Sequence, residues 1–372
     1  MTFYLIIASL LLIGVGVLFG SHYLLYFSII HFFSITDKTD ARILLAIIAF
    51  LSLSFILSSI IAHIKENAFT RAFYFISGFW MGLLVNLVLA TFAVWTIILT
   101  SEITGYAVNS GLLAISFFIL AFIYSIYGVW NALNPKIKNI SATIPNLPDI
   151  WKGKKIIQLS DLHIGHIHKN NFVKRVVEKV NAENPEMVVI TGDLFDGMDG
   201  NFDPPLKIIN EMNPKKGIYF ITGNHETFLN TKVIFSALEK TKIKVLYDEV
   251  LDIEGLKLIG INYPEHGESK NSVEIIEKLK PQFLGKPNIF LYHTPENIYD
   301  FKNSGVNLML SGHTHQGQMF PFQFVTKLLF KGFDYGLRTD ADFTIYTTSG
   351  AGTWGPTMRT GNSPEIAAIT LR

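Results

Sequence analysis

The stretch Ile156–Ile167, IIQLSDLHIGHI, decides how this chain is read. Its short apolar run (Ile156, Ile157, Leu159) has the character of a buried strand. The run stops at Asp161, and His163 follows two places later, so both fall in the turn where the strand ends. In α/β sheets that rim is where ligands are usually held. One D-x-H says little, but the arrangement recurs. MVVITGDLFD brings Asp193, GIYFITGNHE brings Asn224 and His225, NIFLYHTPE brings His293, and VNLMLSGHTHQGQ brings His313 and His315. Five apolar strands that each end in oxygen or nitrogen donors predict one shared metal centre.

Around these strands, from Lys154 onward, apolar runs alternate with amphipathic helical patterns. Phe172, Val176, Val177 and Val180 recur at helical spacing, and further helices are expected at Pro205–Met212, Thr231–Glu239 and Ser272–Leu279. Shorter strands are expected near Lys244–Tyr247, Leu256–Ile261, Phe343–Thr348 and Ile366–Leu371. The pattern is that of an α/β domain with a mixed sheet or two stacked sheets.

Asp161, His163, Asp193, Asn224, His293, His313 and His315 are all oxygen or nitrogen donors, and these seven exceed what one divalent ion takes. They fit two ions, with the Asp193 carboxylate placed to bridge them. Two ions about 3.5–4 Å apart clamp a phosphoryl group and acidify a bound water into a hydroxide nucleophile. Gly192, Gly223 and Gly312 each precede a donor, where the backbone must turn sharply and a Cβ would crowd the site.

The ordered set Asp161-Leu162-His163, Gly192-Asp193, Gly223-Asn224-His225-Glu226, His293 and Gly312-His313-Thr314-His315 closely resembles the calcineurin-like metallophosphoesterases, over Lys155–Arg372. The resemblance implies a four-layer αββα sandwich. It also implies that one metal is held by Asp161, His163, Asp193 and His315, and the other by Asp193, Asn224, His293 and His313. His225 is then no ligand; it contacts the phosphoryl oxygens or protonates the leaving group. The tail SGAGTWGPTMR (Ser349–Arg359) resembles that of a membrane-attached bacterial subgroup, which includes phosphoesterases and UDP-diacylglucosamine pyrophosphatases. Arg359 is read either as a bidentate phosphate ligand or as a surface salt bridge. His166 is a candidate at the mouth of the site; His168 and His266 are read as surface histidines.

The first part of the chain is different. Four runs, roughly Phe3–Tyr26, Ala41–Ile64, Phe73–Leu99 and Leu112–Trp130, are long and apolar enough to cross a bilayer. The first lacks a basic n-region and a cleavage site, so it is not a signal peptide. None carries Asp, Glu, Lys or Arg in its interior, which argues for an anchor rather than a transporter. Gly16 and Gly20 form a G-x-x-x-G that either packs helices or faces lipid. The expected organisation is a four-span anchor over 1–130, a Pro/Asn-rich linker over 131–153 and a metallophosphoesterase domain over 154–372. Lys65, Arg71, Lys136 and Lys138 share the domain's side of the membrane, against Lys38 and Arg42 on the other. The positive-inside rule then puts the catalytic domain in the cytoplasm of a bacterial cell membrane.

Met319–Tyr335, MFPFQFVTKLLFKGFDY, is dense in Phe and Leu, with Lys327 and Lys331 interspersed. It reads either as a flap that enters the membrane interface and admits an acyl chain past Phe330, or as a hairpin and helix packed on the core. Zero cysteines exclude a disulfide framework and thiolate metal ligands, and a net charge of +1 gives no nucleic-acid footprint. The ligand chemistry allows Mn²⁺, Fe²⁺/Fe³⁺ or Zn²⁺. The expectation is a membrane-anchored di-metal hydrolase of a phosphoester or pyrophosphate bond in a lipid-linked substrate. The alternatives are a tethered phosphodiesterase or phosphatase of soluble nucleotides or phosphoproteins, and an idle metal-binding scaffold.

Overall fold

The apolar runs of the first part form four helices: α1 (Thr2–Phe32), α2 (Lys38–Ile64), α3 (Ala68–Thr104) and α4 (Ser110–Ala132). Each is long and apolar enough to cross a membrane. At about 1.5 Å per residue, even the shortest reaches the roughly 30 Å of a hydrocarbon core. The computed structural model describes residues 2–196, 202–229, 231–265, 268 and 270–372. These separate into two units, Met1–Val129 with Gly355–Met358, and Trp130–Trp354 with Arg359–Arg372.

Helix ends in the first unit are set by local polar chemistry. Asp37 accepts the Thr39 and Asp40 backbone N–H groups ahead of α2, and Asn67 and Thr70 close a capping box at the start of α3. Gly105 ends α3 at φ 77°, a left-handed conformation that suits glycine. Polar side chains pair across helices: Trp80 Nε1 donates to His22 Nε2 at 3.0 Å, Trp95 Nε1 to Ser28 Oγ at 2.9 Å, and Asn86 Nδ2 to Ser125 Oγ at 2.8 Å. Without water to compete, such bonds tie helices together. Gly16 and Gly20 take no part in this. Among the described residues, no atom of another element lies within 4 Å of where their Cβ atoms would stand, so the G-x-x-x-G packs no helix within this chain.

The second unit contains strands β1 (Lys136–Ala142), β2 (Lys155–Leu159), β3 (Met187–Thr191), β4 (Ile218–Ile221), β5 (Ile243–Val245), β6 (Glu249–Ile253), β7 (Leu256–Gly260), β8 (Asn288–Leu291), β9 (Leu308–Ser311), β10 (Gly336–Asp340), β11 (Phe343–Thr347) and β12 (Glu365–Leu371). Its helices are α5 (Asn170–Ala182), α6 (Asp203–Ile209), α7 (Thr231–Leu238), α8 (Ser272–Leu279), α9 (Ile298–Asn303) and α10 (Phe322–Leu329). The strands form two six-stranded sheets, ordered β1-β12-β2-β3-β4-β5 and β10-β11-β9-β8-β7-β6.

Strand alternation assigns the faces. Val188 and Ile190 pack outward under Val173, Val176 and Leu206 of α5 and α6, while Val189 turns inward. Ile289 and Leu291 meet it from the second sheet, and Phe290 turns outward onto Ile276 and Phe301 of α8 and α9. The layers are helix, sheet, sheet, helix: the αββα sandwich. Gln158 is buried between the sheets, where its amide nitrogen Nε2 donates to Thr191 Oγ1 of one sheet and the Ser311 carbonyl of the other.

The expected linker is a correction. Residues 136–142 form β1, which pairs in parallel with β12 from Lys136↔Glu365 to Ala142↔Leu371, and Trp151 is fully buried. Only Ile137 and Ile140 mark β1 as apolar, because one face of this edge strand is open, and Pro135 sits just before it. Pro and Asn spacing there punctuates the chain without breaking it away from the fold.

Candidate metal centre

Five parallel-running strands in the two sheets end on one rim. Asp161 and His163 follow β2, Asp193 follows β3, Asn224 and His225 follow β4, His293 follows β8, and His313 and His315 follow β9. Asp161, His163, Asp193, His313 and His315 all have positive φ, between 47° and 71°. Left-handed backbone is uncommon for residues with a Cβ and costs on the order of 1 kcal/mol each. The surrounding sheets hold them there, and each turn aims a donor back over the strand ends.

The glycines keep the space that these side chains occupy. A Cβ on Gly192 would stand 2.6 Å from His293 Nδ1, and one on Gly223 would collide with the Asp193 carboxylate and stand 2.8 Å from His293 Cε1. One on Gly312 would collide with Ser160 Oγ and the Asp161 carboxylate. Residues from both sheets therefore approach more closely than any other amino acid permits.

The predicted donors fall into two groups that meet at Asp193, and His225 stands with His163 and Asp193 in a third group that could hold an ion. His163 Nε2 lies 3.0 Å from His315 Nε2, and His315 Nε2 lies 3.5 Å from Asp161 Oδ1. In the other group His293 Nε2 lies 3.1 Å from Asn224 Oδ1 and 3.3 Å from His313 Nδ1, which is 2.8 Å from Asn224 Oδ1. Asp193 Oδ2 stands 3.2 Å from His293 Nε2 and 3.9 Å from His163 Nε2, so it faces both groups. Two donors that share a metal at about 2.1 Å stand about 3.0 Å apart in cis-octahedral geometry and about 3.4 Å apart in tetrahedral geometry. Most of the observed spacings lie near this range, so these residues could hold two ions with Asp193 between them; the 3.9 Å from Asp193 to His163 is longer.

Backbone groups fix the rings. His293 Nδ1 donates to the Thr191 carbonyl at 2.8 Å, leaving Nε2 free to ligate. His225 Nδ1 donates to the Asp196 carbonyl at 2.8 Å, and its backbone N–H donates to Asp193 Oδ1 at 2.8 Å. The proton on Nδ1 leaves Nε2 as the exchangeable nitrogen of His225. Burial pushes His163 and His315 well below the usual histidine range, and burial with the neighbouring His293 lowers His313 to about 4. These rings are neutral, as ligands must be. Burial acts on His293 in the same direction, but the Asp193 carboxylate overcomes it and raises that ring to about 9. Burial raises Asp161 to about 6.

Arg359 does not form a surface salt bridge. It is fully buried, and its guanidinium donates to the carbonyls of Ser349 (2.7 Å), Gly352 (2.6 Å) and His315 (3.3 Å) and to Asn362 Oδ1 (2.7 Å), while its Nη2 lies 3.0 Å from His315 Nδ1. It braces the ring behind the proposed ligand. His168 is likewise buried rather than at the surface, with Nε2 accepting the Thr353 N–H, and His166 is buried and outside the donor clusters found among the described residues. His266 lies outside the described residues. Phe330 does border the site, edge-on to His313 at 5.9 Å between ring centres.

Sequence reasoning gave no role to three other residues. Glu226 is fully buried and accepts the backbone N–H groups of Asp193, Phe195 and Gly223 at 2.9, 3.0 and 2.7 Å, which ties the β3 and β4 turns together. Phe228 and Trp354 are exposed, and their rings stand 5.1 and 6.2 Å from His225. The acidic residue after Gly-Asn-His was a visible signal for Glu226; nothing in the local pattern marks the two aromatics.

Two histidine–carboxylate groups sharing an aspartate on the rim of an αββα sandwich define the build of a di-metal phosphoesterase. The family model described as calcineurin-like phosphoesterase matches residues 154–317. An uncharacterized metallophosphoesterase of Helicobacter pylori is 34% identical over 263 residues, 70% of each chain. One from Campylobacter jejuni is 34% identical over 246 residues, 65% of each chain. A protein of Danio rerio described as a transmembrane protein with metallophosphoesterase domain is 30% identical over 274 residues, 68% of this chain and 61% of its own. The chain belongs to the calcineurin-like metallophosphoesterases, metal-dependent hydrolases of phosphoester bonds.

Proposed function

We propose that this chain is a membrane-anchored di-metal hydrolase that cleaves a phosphoester or phosphoanhydride bond in a lipid-linked substrate. The observation that carries the reading is the pair of donor groups meeting at Asp193. Asp161, His163, Asp193 and His315 would hold one ion, and Asp193, Asn224, His293 and His313 the other. When bound, two metal ions (Mn²⁺, Fe²⁺/Fe³⁺ or Zn²⁺) would supply a hydroxide nucleophile and neutralise charge on the phosphoryl oxygens. The protein supplies the rest. His225, held by the Asp196 carbonyl, presents Nε2 to deliver a proton to the departing oxygen. Arg359 and the Thr191 carbonyl keep the rings of His315 and His293 oriented, so little reorganisation is needed when the substrate arrives.

Two observations support a lipid-linked substrate over a soluble one. The four apolar helices hold the domain at a bilayer, and the rim of the site is aromatic, with Phe228 and Trp354 beside His225 and Phe330 beside His313. Exposed aromatics next to the group that protonates the leaving oxygen favour an apolar or planar leaving group. Basic residues favour a cytoplasmic catalytic domain at a bacterial cell membrane.

The test compares two substrates for the purified full-length protein with Mn²⁺: a soluble aryl phosphodiester, and a UDP-linked diacyl sugar in mixed micelles. Faster cleavage of the lipid supports the reading. Equal or better cleavage of the soluble ester reduces the helices to a tether and returns the choice to soluble substrates. No turnover of either, with both metals bound, would refute hydrolysis of these bonds.

A further inference from the structure

The helix α10 leaves an apolar face without a partner. None of its eight residues is buried. Phe324 and Leu328, four apart, and Val325 and Leu329, four apart, line one side; Leu328 and Leu329 are 80% and 68% exposed. Phe320 and Phe322 extend the patch toward the helix start. A contiguous apolar surface of this kind on a folded domain marks an interaction site. Lys327 and Lys331, also four apart and exposed, run along its edge.

The opposite side of α10 is fastened to the site. Thr326 Oγ1 donates to Asp334 Oδ2 at 3.1 Å, and Thr314 Oγ1 donates to the Asp334 carbonyl at 2.6 Å. Thr314 stands between His313 and His315, and Phe330, directly after the helix, meets the His313 ring. The apolar face is therefore presented by an element rigidly joined to the loop that carries two of the proposed metal ligands.

We infer that α10 docks into an anionic lipid interface and holds the mouth of the metal centre at the membrane surface. A helix with aromatic and leucine residues on one side and lysines beside them is suited to the boundary between headgroups and acyl chains. The lysines match anionic headgroups, whose attraction is worth more than tenfold in equilibrium for two such charges. The four apolar helices keep the bilayer at high effective concentration, which no freely diffusing protein partner shares. This inference rests on the membrane-anchored reading above and adds to it how an acylated substrate reaches the site: from the interface, past Phe330.

The chain has no cysteine, so Leu328→Cys gives a unique attachment point for an environment-sensitive nitrobenzoxadiazole dye, with Lys240→Cys as the control. Both are made in the full-length protein and placed in nanodiscs of phosphatidylcholine, with or without one quarter phosphatidylglycerol. Expected are blue-shifted emission and quenching by doxyl-labelled lipid at position 328 in the anionic discs, and neither at position 240. Lys327→Gln with Lys331→Gln should weaken docking about thirtyfold. A water-like signal at position 328 in anionic discs would overturn the inference. A blue shift without doxyl quenching would overturn it in favour of a protein partner or a second copy, and equal quenching without phosphatidylglycerol would remove the anionic lipid as occupant. Hydrolysis of the soluble aryl ester by the same samples is read separately: docking without turnover supports the inference and counts against the proposed reaction.

Discussion

Replacing Arg359 by Met separates a brace from a substrate ligand. The guanidinium is fully buried and shared among the Ser349, Gly352 and His315 carbonyls, Asn362 Oδ1 and His315 Nδ1. Burial lowers its pKa to about 10, against the raising effect of Asp161 and Glu365, so it remains charged at neutral pH. A buried acceptor left without its donor costs about 1–3 kcal/mol, and these acceptors share one neighbourhood, so their losses do not add fully. We expect a net loss of about 3–5 kcal/mol. For a domain of this size that lowers Tm by on the order of 10 °C. The released His315 ring should also weaken metal binding in its group. The assay is thermal unfolding of the purified full-length protein in detergent, with metal content measured on the same samples. KM for a soluble aryl phosphodiester should change little in the chains that retain metal. An unchanged Tm and full metal content, together with a tenfold or larger rise in KM, would show that Arg359 binds substrate and refute the reasoning.

Three further outcomes follow from the site. His225→Ala should lower kcat by about 10²–10⁴ with both metals still bound by elemental analysis; loss of metal would make His225 a ligand. Asp193→Ala should remove both metals and Asn224→Ala mainly one, and stoichiometries that are equal in the two variants would rule out the shared role of Asp193. Metal binding should strengthen as pH rises. Without metal, His293 carries a proton up to about pH 9 and Asp161 keeps one below about pH 6, so binding releases about one proton at pH 7.5 and about two below pH 6. Calorimetry in buffers of different ionisation enthalpy reads this release directly, and proton uptake at pH 7.5 would contradict it.

The fold was legible where strands are buried on both faces. Residues such as Val188, Val189 and Ile190 alternate between two cores, so their sequence is continuously apolar and their ends are abrupt. The donors follow those ends immediately, and spacing alone exposed them. The edge strands β1 and β10 were not legible, because β1 buries little of its surface and β10 is mostly exposed. The roles of Arg359 and His168 depend on contacts with residues remote in sequence, such as Arg359 with His315 and His168 with Thr353. A charged or polar residue near a motif looks like a surface group until the fold closes over it.

The structure divides the work of the site between two kinds of element. Five of the seven donors sit in left-handed turns at the strand ends, where Gly192, Gly223 and Gly312 leave no room for another side chain. Strain at these positions persists only because the sandwich over-determines them, so the donor spacing is set by folding before any ion arrives. The aromatics Phe228, Phe330 and Trp354 are under no such constraint: they stand at turns or helix ends and reach the rim from three separate segments. Exchanging them would alter which leaving group is accepted while the donor geometry stayed in place. On the proposed function, the bond cleaved is thus a property of the buried strand ends, and the molecule chosen a property of the exposed aromatic rim.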